Sequence, residues 1–213
     1  MAGHGNLEGD IGSALSYDDS VRRLRDAQHR FNNTLQLIRT LIAMQRRLHP
    51  AATKPLTALE LRITAIALGE RHIQQSDGAG VPLGACLDAL ATTVLQHQVA
   101  VRVTQEDDVR LAQPQVVPVG LLVCEIFAQL ADIGRDAKSD GRLPVPIDLL
   151  LRRSEPTHAV LEIGTRQVNA AEITDDDEHG RLIELLARQI RASIEVRRDS
   201  DDGTSVCVSF PLQ

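Results

Sequence analysis

Aromatic residues are scarce in this 213-residue chain, which has three Phe, one Tyr and no Trp. A core must therefore be built from Leu, Ile, Val and Ala, which suits helices and helix-on-sheet layers. The same scarcity argues against a surface on which single-stranded bases stack. Positive charge is also in short supply: 23 Lys and Arg against 29 Asp and Glu leave a formal charge of −6, with no global pull on a phosphate backbone. No nucleic-acid partner is expected. No window reads as the run of roughly 18 apolar residues that a membrane span needs, so no membrane partner is expected either. The chain opens Met-Ala-Gly-His-Gly rather than with a basic stretch and then an apolar one. No secretory leader is read, and the cytoplasm is the expected compartment. Cysteine is limited to Cys86, Cys124 and Cys207. Widely spaced, odd in number and set among apolar residues, they read as buried thiols rather than disulfides or metal ligands.

What the chain does have is 43% hydrophobic content, enough for one or two buried cores. Residues 1–17 are polar and glycine-rich without periodicity, and are expected to be disordered or loosely docked. Asp18, Asp19 and Ser20 then suit the positive end of a helix. Leu24, Gln28, Phe31, Leu35, Ile38, Ile42 and Gln45 recur every three or four residues, the narrow stripe of a helix packed along another. Over residues 20–48 that helix is roughly 40 Å long, and Pro50 to Pro55 end it. Leu56, Leu59, Ile63, Ile66 and Ile73 give a second helix its apolar face, and the short connection makes the pair antiparallel. Residues 18–76 are thus read as a helical hairpin that completes a four-helix bundle by pairing with a second copy, a homodimer.

Residues 74–80, Gln-Gln-Ser-Asp-Gly-Ala-Gly, interrupt the helical pattern as a domain boundary does. Residues 81–213 then alternate between periods. Helices are expected at 83–97, about 116–133 and 178–191, and strands at 99–105, 145–152, 158–163, 193–198 and 204–210. The predicted class is α+β, with a C-terminal α/β sandwich after the helical hairpin. Asp199 to Gly203 is read as the turn of an antiparallel hairpin.

The stretch most suggestive of chemistry is Asp26-Ala-Gln-His-Arg-Phe-Asn-Asn-Thr-Leu-Gln-Leu-Ile. On a helix His29 has Asp26 at i−3 and Asn32 and Asn33 at i+3 and i+4, so a carboxylate and two amides converge on one imidazole. Arg30 is placed to approach an anion. A neutral imidazole nitrogen is nucleophilic near pH 7, and Asp26 can hold the proton on the other nitrogen. Set against this, a single His on a helix is most often an ordinary surface residue. His4, His49, His72, His97, His158 and His179 have no paired ligands at metal-binding spacing, so no metal site is assigned.

This stretch resembles the phosphoacceptor helix of sensor histidine kinases of the HisKA_2 or HWE type, in which the His is followed by Arg, an aliphatic or aromatic residue, Asn-Asn and Leu-Gln. The likeness continues through Arg62-Ile-Thr-Ala-Ile-Ala-Leu on the second helix and a Gln-Ser-Asp linker. Val119 to Gln129 is similar to the helix carrying the asparagine box of the Bergerat-type ATPase domain, and Gly203-Thr204 to the start of that domain's last strand. The resemblance implies that His29 is the phosphoacceptor, assisted by Asp26, Arg30, Asn32 and Asn33, with Phe31 and Leu35 as contacts for a partner.

The departures lie in the nucleotide site. Glu125 stands at the box glutamate, but Gln129 replaces the magnesium-binding Asn, and Asp132-Ile133 replace a Lys-His pair that meets phosphate. Leu161-Glu-Ile-Gly164 runs into Thr165-Arg-Gln-Val where an Asp-x-Gly motif grips adenine. The glycine lid is reduced to His179-Gly180 behind the acidic run of residues 175–178, which repels phosphates. Glu125, Gln129, Gly180 and Gly203 are therefore read as degenerate positions, with no nucleotide cofactor bound.

The function expected from this resemblance is a histidine phosphotransferase that relays a phosphoryl group between receiver-domain aspartates through His29. Its partners are receiver domains of response regulators or hybrid kinases, which supply Mg²⁺ themselves. Two alternatives stand beside it: an ATP-dependent kinase with an atypical site, or a non-catalytic adaptor that binds a response regulator.

Overall fold

The computed structural model describes residues 8–76, 78–95, 99–136, 145–165, 178–198 and 203–212. Two compact units divide the chain between Thr53 and Lys54. The first is dominated by one helix, α1 (Glu8–Leu48), which begins well before the Asp18 start read from its capping residues. Once a helix is nucleated, each further residue adds a hydrogen bond, and no proline interrupts residues 8–17. That stretch, expected to be disordered, is helical, and residues 1–7 lie outside the description. At 41 residues α1 is roughly 60 Å long.

Leu35 and Ile42, two of the predicted stripe, are buried, whereas Leu24 is exposed. A second apolar stripe, missed in the sequence, runs through Leu37, Leu41, Met44 and Leu48, all at least 50% exposed. Its spacings of four, three and four residues are those of a packing seam. A 3₁₀ turn at Pro50–Ala52 ends the unit. There the Ala52 N–H donates to the His49 carbonyl (2.9 Å) and the Thr53 hydroxyl to the Pro50 carbonyl (2.7 Å).

The second unit contains α2 (Thr53–Gln75) from Lys54 onward, together with everything that follows. Its strands are β1 (Val81–Pro82), β2 (Val99–Gln105), β3 (Arg110–Leu111), β4 (Val145–Glu155), β5 (His158–Thr165), β6 (Ser193–Arg198) and β7 (Thr204–Pro211). Its other helices are α3 (Leu83–Leu95), α4 (Gln113–Asp136) and α5 (Glu178–Ile190). Five strands form a mixed sheet in the order β2-β4-β5-β7-β6, with β2 and β4 parallel and the other neighbours antiparallel. A parallel pair needs a long crossover, and α4 lies within it in the chain. Along β4, Ile147, Leu149 and Leu151 are buried while Pro146 and Asp148 are exposed. The sheet therefore buries one face, against α3, α4 and α5. Phe127 and Phe210 are the largest side chains of this core, within a lining of Leu, Ile and Val.

The predicted elements of this region recur within a few residues of their expected ends, and the class is α+β. Two differences have simple causes. The strands β1 and β3 are two residues each and pair only with one another (Val81↔Leu111, Pro82↔Arg110), too short for any period to register. Gln113–Leu130 of α4 is long and apolar enough to cross a membrane by length and composition, contrary to the expectation that no such window exists. Most of it is buried in the core, because α4 is covered by neighbours on more than one side. The hairpin turn expected at 199–203 falls, apart from Gly203, outside the described residues.

The boundary between units also differs from the one read at residues 74–80, since α2 groups with the sheet. The face responsible overlaps the predicted one only at Ile73. Ala65 and Leu68 pack with Leu90 and Cys124, and Leu61 and Ile73 lie against the main core. Gly69 sits so close to α4 that a Cβ there would stand 2.9 Å from Val117 Cγ2. Beyond α2, Gly80 adopts φ +88, a conformation glycine reaches without strain, and its carbonyl accepts from Arg110 Nη1 at 3.5 Å.

Candidate functional site

Two groups of residues contain chemistry. The first is the set predicted around His29. Because α1 is unbroken, helical geometry stacks Asp26, His29, Asn32 and Asn33 on adjacent turns of one face. Asp26, His29, Arg30 and Asn33 are exposed, and Asn32 is half-buried. The Arg30 carbonyl accepts a hydrogen bond from the Thr34 hydroxyl (2.9 Å), which leaves its guanidinium unaffected. An imidazole in this setting is open to a macromolecular partner and has a carboxylate and amides within one turn. The two proposed partner contacts separate in exposure: Phe31 is 43% exposed, Leu35 only 7%.

The second group was not foreseen as a group. The Glu125 side chain, on α4, is 3% exposed. Arg62 of α2 grips it with a fork, Nε donating to Oε1 (2.7 Å) and Nη2 to Oε2 (2.9 Å). His179, in the first turn of α5, lies with Nδ1 2.8 Å from Oε2. Burial by itself would push the Glu125 carboxyl up. Hydrogen bonds and charge from Arg62 and His179 outweigh it and hold the carboxyl below the ordinary glutamate range. Two-point recognition of a carboxylate by guanidinium is among the stronger polar contacts a protein makes, and removing one partner of such a buried pair typically costs about 3–5 kcal/mol.

The remaining degenerate positions surround α4 and the sheet. Gln129 is buried one turn beyond Glu125. Thr165 ends β5 opposite Thr204 of β7, and both are buried. Gly164 before it is closely enclosed, since a Cβ would lie 3.2 Å from Ser205 Cβ. Gly203 is buried just ahead of β7. Gly180, read as a remnant of a lid, belongs instead to the first turn of α5, with His179. The side chains of Asp132 and Ile133 and the whole of residues 175–177 lie outside the description.

His179 has a partner in Glu125 that the sequence did not name. Among the other described histidines, His158 lies 3.2 Å from the Thr157 hydroxyl, and half-buried His72 has its pKa lowered by burial and by neighbouring Arg71. The three cysteines are buried free thiols, with Cys86 pushed up to about 11 and Cys124 to about 12 by desolvation.

Residues 26–98 match the HisKA_2 family model, described as a histidine kinase. Curated protein sequences gave no significant match. Among solved structures, the histidine kinase domain from the Erythrobacter litoralis EL346 blue-light activated histidine kinase superposes with a TM-score of 0.62 at 22% identity, covering 90% of this chain and 91% of that one. The longer blue-light activated histidine kinase of the same organism gives 0.59 at 19% identity, covering 84% of this chain and 60% of that one. At these identities the likeness establishes the fold. With residues 26–98 matching HisKA_2 and a histidine kinase domain fold over nine-tenths of its length, this chain is histidine kinase-like.

Proposed function

We propose that this chain is a histidine phosphotransferase: His29 accepts a phosphoryl group from the aspartyl phosphate of one receiver domain and gives it to the aspartate of another. The observation that carries the reading is the contrast between the two groups. The His29 face is open and chemically complete, while the Glu125 carboxylate, which stands at the box glutamate of the resembled nucleotide site, is already neutralised by Arg62 and His179. With Thr165 where an adenine-gripping Asp is expected, the residues present do not fit a bound nucleotide, and no step is routed through one.

In the proposed reaction the neutral imidazole attacks phosphorus while the acyl phosphate P–O bond breaks. The receiver keeps the electron pair as a carboxylate, and the imidazole loses its proton from the other nitrogen, toward Asp26 or water. The reverse sequence delivers the group to the second aspartate. The partner supplies Mg²⁺, which neutralises charge on the phosphoryl oxygens, and Arg30 faces the same anion. Phe31 supplies an apolar contact for docking.

A homodimer is part of this reading, supported by the exposed seam of Leu37, Leu41, Met44 and Leu48. A leucine and methionine row at seam spacing is covered most economically by a second copy completing a four-helix bundle. Receiver domains place the relay in the cytoplasm.

The test incubates wild type and His29→Ala separately with γ-labelled ATP and with a labelled phospho-receiver domain. The expected result is acid-labile label on wild type alone, arriving only from the receiver. Label from ATP would establish a kinase instead. Tight receiver binding without label, surviving His29→Ala, would establish an adaptor.

A further inference from the structure

The buried ion cluster joins three helices that are far apart in sequence: Arg62 on α2 and His179 on α5 meet Glu125 on α4 across 63 and 54 residues. We infer that it is a latch, which fixes α2 to the sheet domain so that the two move as one body. In this chain the glutamate position of the nucleotide-domain helix thus serves to join helices rather than to hold a ligand.

Three observations converge on the latch. Glu125 is nearly excluded from solvent, whereas Arg62 and His179 are 18% and 16% exposed. The anion is therefore committed to its partners, and only the cations retain some access to water. A carboxylate in that position is costly to leave unpaired, so any motion that carries Arg62 away is opposed from the first ångström. The fork also fixes orientation, because both Arg62 donors must meet both Glu125 oxygens, which resists rotation of α2 as well as separation. Finally, the latch lies one to two turns from the Ala65, Leu68 and Gly69 contact with α3 and α4. Beyond the end of α2, the chain is held again by the β1–β3 ladder and by Arg110 on the Gly80 carbonyl. The segment between α2 and the sheet domain is thus held at both ends. A two-point ionic contact adds a directional restraint to the apolar one.

This inference does not depend on whether His29 carries phosphate, and it is tested without a partner. Spin labels at Arg71→Cys on α2 and Ser154→Cys on β4, both exposed, report the distance between the bodies by pulsed electron resonance. The buried native thiols are poorly reactive by comparison. With the latch intact the distance distribution is expected to be single and narrow. Arg62→Ala should broaden it at least twofold while amides of β5 and β7 keep their protection against hydrogen exchange. Should Arg62→Ala unfold, Glu125→Gln decides the matter, since the isosteric amide leaves no unpaired carboxylate in the core and Arg62 keeps partial access to water: a folded protein with a broadened distribution supports the latch. Wild-type width in a folded variant, or a wild-type distribution that is already broad, would overturn it.

Discussion

At the scale of single residues, Glu125 shows how environment reassigns a side chain. Its carboxyl is held below the ordinary range, so its ionised form contributes stability that is fully present above the unfolded-state value of about 4.3 and is lost as pH falls through the lower folded-state value. Glu125→Gln is expected to destabilise the protein by about 2 kcal/mol at pH 7, with the gap to wild type closing as pH falls below about 4. Urea unfolding of both proteins at pH 7 and at stepped lower values measures this. A gap that stays constant with pH would mean that ionisation of Glu125 contributes nothing. The residue itself was legible, since the resemblance marked Glu125 as a box position. Its partners were not. Arg62 and His179 sit on other helices, and no local spacing connects them to α4. His29, by contrast, was legible with its neighbours, because all of them lie within eight residues of one helix and helical geometry determines which share a face.

At the scale of elements, the periods of the sequence located the second-unit helices and strands well, because each is long enough for apolar positions to repeat. Failures came where period gives no signal. The two-residue strands β1 and β3 carry none. In α2 the stripe that was read, Leu56, Leu59, Ile63, Ile66 and Ile73, contains buried Ile63 but exposed Leu59, and a second face of Leu61, Ala65, Leu68 and Gly69 docks on the sheet domain. Small residues score weakly as hydrophobes, although they are what allows two helices to approach closely. Gly69 gives that argument a measurable form. In an exposed helix Gly→Ala gains about 1 kcal/mol. Here the new Cβ would meet Val117 Cγ2 at 2.9 Å and Val117 Cα at 3.4 Å, and forcing carbon into a filled contact costs about 1–3 kcal/mol. Gly69→Ala is expected to lower the melting temperature by a few degrees, as scanning calorimetry would show. A rise would mean that the α2–α4 contact yields easily.

At the scale of the whole molecule, the exposed seam on α1 predicts assembly. Introducing two carboxylates with Leu41→Asp and Met44→Asp should convert a dimer to a monomer in multi-angle light scattering, with helical circular dichroism largely kept. A variant that stays dimeric would move the interface elsewhere. The double substitution places charges where a second copy would desolvate them, at a cost of several kcal/mol per ion, whereas in a monomer both would remain in water.

The five-stranded sheet bears on the same question from the opposite direction. Its outermost strands are β2 and β6, and among the described residues each is paired on one side only. Both strands are guarded by charge: exposed Arg102 on β2, and exposed Glu195 and Arg197, paired with one another at 2.7 Å, on β6. A strand arriving from another chain would have to strip water from these groups. The sheet thus discourages its own extension into fibrils.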